Sequence, residues 1–286
     1  MKKILLVGVL FPLFSYAQWN VNLFGGFSNY IGDLQSKTYT TQQSNGSFGA
    51  GLQYDLNGHI SLLSNLTYGR ISAADGYSPK ADLRARNLNF ESVIDEWNLL
   101  AEYNFFDLQE HRLTPYVFAG LAVFHFNPYA YDTTGKKVYL RQLSTEGEGL
   151  AQYPGRKPYA LTQLSIPFGG GIKFRISDRV VLAYEIGFRK TFTDYLDDVS
   201  STYVDRAILL AARGPEAVEM AYRGNELKGG AGYPPAGTVR GNPKAKDWYY
   251  MSGLRVTIAL NSSNGMSGMS MHRHHKGVID CPKKVY

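Results

Sequence analysis

The chain holds one cysteine, Cys281, among 286 residues. No internal disulfide framework can be built from it, so the fold must be held by packing and backbone pairing. Beyond residue 17 there is no run of about 18 apolar residues, which excludes a transmembrane helix. Charge of one sign is also scarce: 30 Lys and Arg face 24 Asp and Glu, a formal +6. The basic residues are scattered instead of lining one stripe, so the chain carries no nucleic-acid footprint. Chemistry-bearing patterns are equally thin. Gly169-Gly170-Gly171 is followed by no helix and no Lys-Ser/Thr pair, so it is no phosphate loop. His59, His111 and His125 have no recurring Ser or Asp neighbours of the kind a triad needs. Asp197-Asp198 could bind calcium, but no acidic loop of binding spacing flanks them. Neither an enzyme nor a cofactor is expected.

What is present begins with an export signal. Lys2-Lys3, the apolar stretch Ile4 to Phe14 and Ser15-Tyr16-Ala17 form a basic start, a short greasy segment and a small-x-small cleavage site. Residues 1–17 are therefore expected to be removed. The remainder is rich in Tyr (21), Phe (15) and Gly (30), a blend suited to strands with aromatic girdles and tight bends.

Between Gln18 and Leu260 the governing period is two. Trp19, Val21, Leu23, Gly25 and Phe27 alternate with Asn20, Asn22, Phe24, Gly26 and Ser28. Phe48 to Leu56 repeats the scheme and runs into Asn57-Gly58, a strong hairpin signal. Ile60 to Tyr68 forms a third segment. In a fourth, Val93, Trp97, Leu99, Ala101, Tyr103 and Phe105 oppose Glu96, Asn98, Glu102 and Asn104. Thr114 to Phe126 is apolar on both faces, which leaves its register open. Ile166 to Ile176 sets Gly169, Gly171, Lys173 and Arg175 on one side. Leu182 to Phe188 does the same with Glu185 and Arg189, and Trp248 to Leu260 with Tyr249, Gly253, Arg255 and Thr257. The predicted count is eight strands.

Connections after the second, fourth and sixth segments are short, whereas the others run to about 18, 20, 35 and 55 residues, the asymmetry of outer-membrane barrels. The face opposite the aromatics carries Glu96, Glu102, Glu185, Lys173, Arg175, Arg189 and Arg255. Acids and bases on one face nearly balance, as a lumen filled by a salt-bridge network requires. The expected fold is all-β: an eight-stranded antiparallel transmembrane β-barrel over residues 18–260, its apolar face against outer-membrane lipid, with long extracellular loops. An even strand count puts both ends in the periplasm.

In the longest loop Asp205 can cap a helix from Arg206 to Arg213, and Pro215 can open a second ending near Arg223. That loop is expected to fold over the barrel mouth. Residues 261–286 read as a flexible periplasmic tail. Met269 to His275 could bind copper or zinc, although a solvated linker is the plainer reading. Cys281, alone in an oxidising compartment, could form an intermolecular disulfide or stay a free thiol.

Several stretches resemble a known family: Gly25-Gly26-Phe27-Ser28-Asn29-Tyr30-Ile31-Gly32-Asp33-Leu34, Pro115 to Leu121, Phe126-Asn127-Pro128, Leu143 to Gly149, Phe192 to Ser200, and Arg213-Gly214-Pro215-Glu216. Together they are similar to PorG-like outer-membrane proteins of the type IX secretion system of Bacteroidetes-type bacteria, from about Gln18 to Leu260. The resemblance implies a non-enzymatic eight-stranded barrel that secures a periplasmic ring to the outer membrane for protein secretion and gliding motility. Its implied partners are a ring lipoprotein and its soluble companion, of PorK/PorN or GldK/GldN type. The alternative is a small barrel of adhesin or OmpX-like kind whose outer loops bind a surface ligand.

Overall fold

The computed structural model describes residues 18–35 and 40–260. Eight long strands follow one another around a closed sheet: β1 (Gln18–Ile31), β2 (Asn45–Asp55), β3 (Ile60–Ala74), β4 (Asn89–Asn104), β5 (Leu113–Phe126), β8 (Thr162–Arg175), β9 (Val180–Thr191) and β10 (Trp248–Ala259). Each pairs antiparallel with its neighbour in sequence, and β1–β10 closes the ring. Closure leaves no strand edge in the wall, the condition for a sheet to sit in hydrocarbon. Two strands were not expected: β6 (Tyr129–Tyr131) and β7 (Lys137–Tyr139) form a small hairpin that extends the sheet beyond β4. Three residues each are too few for an alternation to register.

Along the lower part of the barrel the faces are inverted relative to a soluble protein. Leu66 and Leu121 are each 67% exposed, and Trp97, Leu99, Leu52 and Leu254 also point outward. Asn22, Gln53, Ser61, Asn98, Glu102 and Lys173 are buried inside. Polar atoms in the centre and aliphatic side chains on the rim suit a lipid surround and no other.

Higher up, the polarity changes over. On β4 the inward residue switches from Glu96 to Ile94 and Phe90, while Asp95 and Glu91 occupy the outside. Arg70 meets Glu91 on the exterior at 3.3 Å. β3 turns Ile71 inward and β5 turns Phe124 and Phe126 inward, with His125 exposed. The upper wall thus has an apolar interior and a polar exterior, the arrangement water demands. The changeover between Asp95 and Glu96 marks the edge of the lipid belt. It also explains why β3 and β4 reach further than expected, shrinking the second long loop to residues 75–88; β1 and β2 likewise run on and leave residues 32–44 between them.

The register of β5 is settled by this geometry. Tyr116, Phe118, Ala122, Phe124 and Phe126 face in, and Val117, Leu121 and Val123 face out. The space for Phe118 comes from glycine: a Cβ on Gly169 or on Gly187 would lie 2.8 Å from its ring. Gly169 of β8 and Gly187 of β9 therefore make room for an aromatic of β5. Tyr250 keeps to the outer face beside its cross-strand partner Phe188, whose ring lies 5.5 Å away and helps to cover it near the long-loop end.

A cation set in the belt tests the inversion. Leu121→Arg is expected to destabilise the barrel by about 2–4 kcal/mol in a lipid bilayer. Urea unfolding in vesicles measures this, and a cost below about 0.5 kcal/mol would place Leu121 in water.

Candidate functional site

The lumen charges form two tiers. In the lower one Glu102, 1% exposed, takes hydrogen bonds from Lys173 Nζ and Arg255 Nη2. Arg255 Nε lies 3.3 Å from Glu185 Oε2, and the Tyr116 hydroxyl donates to that same oxygen at 2.7 Å. Both cations also stand over the Tyr116 ring, at 4.8 and 5.2 Å. In the upper tier Arg189 Nε and Nη2 grip Glu96 at 3.1 Å each, a fork that suits a planar carboxylate. Tyr249 and Asn98 add hydrogen bonds to Glu96 at 2.6 and 2.7 Å. Arg175 stands apart from both tiers. It sits at the mouth of the β8–β9 turn, where the strand leaves the lumen, and its partner is the exposed Asp178 at 3.7 Å.

Between the tiers lies a cavity of about 30 Å³ lined by Asn22, Asn65, Asn98, Glu185, Arg189 and Arg255. That is room for about one water molecule. Eight strands enclose a bore that side chains can fill, and these side chains do fill it.

A cap closes the long-loop end. Helix α2 (Arg206–Arg213) starts where the Asp205 carboxylate accepts from the backbone of Ala207 and Ile208. Gly214, at φ 86°, joins it to α3 (Pro215–Ala221). Leu196, Val199, Leu209, Ala217 and Met220 pack down on Ile71, Phe90, Phe124 and Phe126 of the upper wall in one apolar core. Within it runs a polar seam. Glu146 accepts from Ser200 N at 2.9 Å, Ser201 N at 2.8 Å and Arg240 Nη1 at 3.0 Å. Asp198 accepts from Thr145 at 2.5 Å and from Tyr159 at 2.7 Å. Helix α1 (Ala81–Arg86) ends in Arg86, which is forked onto Asp75 and reaches the main-chain carbonyl of Arg240.

The acids outnumber the bases here. Burial, with Asp198 and Glu146 nearby, pushes the Glu148 carboxyl up to about 8. Burial raises Asp194 to about 7, and raises Asp198 to about 6 against the pull of Arg240. The acidic environment of Asp197 and Asp198 is thus assembled from distant segments, which a local search for flanking acids could not reveal. Among the described residues no three such side chains converge as a metal ligand set.

The histidines are dispersed. His59 contacts the Asn104 carbonyl near the short turns at 2.9 Å, His111 lies against Phe106, and His125 meets Thr162 on the outer wall at 3.1 Å. Met269 to His275 and Cys281 lie outside the described residues. The residues that pattern missed are Arg240, Asp247 and Asp75. Each lies outside the barrel strands, and nothing in its local sequence signals a buried partner.

A closed sheet with a greasy belt, an ionic core and a polar crown defines a small outer-membrane β-barrel in contact with lipid. The chain belongs to the family described as a domain of unknown function, DUF6089, whose model matches residues 2–207. Among solved structures, Neisserial surface protein A is 11% identical, with 85% of this chain and 97% of that one covered at a TM-score of 0.42. A major outer membrane protein from Thermus thermophilus is 12% identical, with coverage of 85% and 99% and a TM-score of 0.41. OprG from Pseudomonas aeruginosa is 9% identical, with coverage of 84% and 96% and a TM-score of 0.37. No curated protein sequence matches the chain.

Two substitutions probe the site. Glu102→Gln removes the only charge that both Lys173 and Arg255 touch, and is expected to cost about 3–5 kcal/mol of barrel stability. Unfolding followed by heat-dependent gel mobility reads it; a loss under about 1 kcal/mol would show that the two cations find other partners. Arg240→Met leaves the buried Glu146 and Asp198 carboxylates without the cation paired with them. The β9–β10 loop should then be cut by protease at least about tenfold faster while the barrel stays intact. Unchanged cleavage would mean that the cap does not depend on Arg240.

Proposed function

We propose that this protein is a non-enzymatic anchoring subunit of the type IX protein secretion and gliding machinery, holding a periplasmic ring to the outer membrane. The observation that carries the reading is the filled bore under a packed cap: both salt-bridge tiers and the apolar plug stand in the path that a cargo would take. A barrel without a passage acts through its surfaces, as a fixed body in the membrane. The resemblance to PorG-like proteins supports the identity of the assembly. Of the stretches that carry it, residues 25–34, 143–149 and 192–200 supply Tyr30, Asp33, Glu146, Asp197 and Asp198 to the cap. They are therefore tied to this architecture and not to a generic strand pattern.

In this reading the short turns and both chain ends face the periplasm, and the partners are the ring lipoprotein and its companion, of PorK/PorN or GldK/GldN type. The turn between β4 and β5 presents exposed Phe105 and Phe106 beside Glu110 and His111, the largest of the short connections and the natural contact surface. Residues 261–286, with Cys281 as a candidate for a covalent link, would add to it. A ligand-binding role for the outer loops is the second reading. It is favoured by residues 225–239, which stand open on the cap, with Val239 74% exposed.

Affinity capture from detergent-solubilised envelope, after mild cross-linking, distinguishes the two. The anchoring role predicts that a periplasmic lipoprotein and a soluble partner co-purify, and that deleting the gene stops secretion of many proteins at once. Normal secretion with no ring component captured would contradict it.

A further inference from the structure

At the rim where β1 meets the β9–β10 loop, the Tyr30 hydroxyl lies between two carboxylates. It is 2.6 Å from Asp197 Oδ2 and 3.0 Å from Asp247 Oδ1, and all three side chains are buried. The remaining carboxylate oxygens accept backbone hydrogens, Asp197 from Val199 at 3.0 Å and Asp247 from Leu196 at 2.9 Å. Among the described residues no Lys or Arg is paired with either acid. Tyr30 has one proton to donate, so it can satisfy one carboxylate only. The second oxygen–oxygen contact needs a proton of its own, carried on the Asp197–Asp247 pair.

The packing leaves no alternative position. A Cβ on Gly32 would collide with both Asp247 Oδ1 and Tyr30 Oη, so the backbone of the β1–β2 loop presses directly on the trio. Leu196, beside Asp197 in the chain, is wholly buried in the cap core. The trio therefore joins the barrel wall to both ends of the loop that covers it.

We infer that a proton held by Asp197 and Asp247 across Tyr30 latches the cap, and that its loss at alkaline pH releases the β9–β10 loop from the barrel mouth. The surrounding charges favour retention of that proton at neutral pH. Asp33 on the β1–β2 loop and Asp194 on the β9–β10 loop add negative field, and the nearest cations are committed elsewhere. Arg86 of α1 is bound to Asp75 and to the Arg240 carbonyl, and Lys246 lies toward Asp194. Burial holds the carboxyls of both Asp197 and Asp247 well above the usual range, with the Asp197 charge adding to the effect on Asp247. An acid whose folded value is raised contributes its full stabilisation only below its unfolded value, and that contribution is lost as pH rises from there through the folded value. Once both acids are charged, two carboxylates face one hydroxyl in an apolar core with no counter-ion. The loop then lifts and bares the apolar interior around Phe124 and Phe126.

Hydrogen exchange of the full-length protein in detergent micelles, from pH 7 to 10 and corrected for intrinsic rates, tests the latch. In the wild type, exchange across residues 194–200 should rise roughly tenfold over this range, with β4 and β9 unaffected. Asp247→Asn keeps the shape without the charge and should reduce the rise to less than about twofold, and Asp197→Asn should do the same. Glu148→Gln and Asp194→Asn, which remove the neighbouring carboxyls raised to about 8 and about 7, should each leave the rise in place. A flat wild-type profile would overturn the inference. So would a rise that survives both Asp197→Asn and Asp247→Asn, or one that disappears with Glu148→Gln or Asp194→Asn while persisting in Asp247→Asn. Infrared spectra of the wild type give a reading independent of variant folding. A buried protonated carboxyl band must be present at pH 7 and fade as exchange rises, and its absence at pH 7 is incompatible with the latch.

Discussion

A charged side chain inside a protein must meet its opposite, and a sheet inside hydrocarbon must close upon itself; the architecture follows from holding both conditions in one chain. Removing a carboxylate or a guanidinium from water costs several kcal/mol per ion unless geometry and further hydrogen bonds offset it. The strands place three acids and three bases on the inner face of the belt, and the register brings them together across the bore. Glu102 faces Lys173 and Arg255, Glu185 faces Arg255, and Glu96 faces Arg189. The outer face is then free to be largely apolar, with the Ser64 and Ser252 hydroxyls paired to outward-facing Trp97 and Tyr184. Because the polar face is inside, the barrel is more ionic at its centre than at its waist, and lipid is its only stable surround.

The changeover above Glu96 shows the same chain responding to a second solvent. Where the wall leaves the belt, Ile71, Phe90, Ile94 and Phe124 turn inward and Arg70, Glu91 and Asp95 outward without any break in strand pairing. The strands keep their two-residue period and exchange the identity of the faces. The apolar interior of that crown gives the long loops something to pack on, and so they form a cap instead of waving as tethers. The cap in turn buries more acid than base, with Arg240 carrying much of the compensation between Glu146 and Asp198.

Much of the belt was legible in the sequence because each face there has a constant chemical character. Alternation named its inward and outward residues, and the sorting of turn lengths named its ends. Legibility stopped where the period remained two but the meaning of the faces reversed. β3 and β4 consequently read shorter than they are. In β5 both faces are apolar, so its register needed the glycines of β8 and β9, which accept Phe118. Arg175 obeyed the pattern but sits one step too near the turn to join the lumen network. The cap was foreseen in outline, from Asp205 as a helix start and Pro215 as a first helical residue. Its bonds were not, since Tyr30 with Asp197 and Asp247, or Glu146 with Arg240, are partners far apart in a chain of irregular loops. Such pairs carry no periodic signal.

The inverted belt is tested most directly by asking what touches Trp97. With Trp19 and Trp248 replaced by Phe, Trp97 is the one remaining indole, and it stands on the outer wall of β4 below the changeover. The protein is reconstituted into vesicles whose acyl chains carry bromine at defined depths, and its fluorescence is recorded. Strong quenching by acyl-chain bromine, with little effect from a water-soluble quencher, is the predicted result. Quenching by the aqueous agent alone would put Trp97 in water and contradict the account.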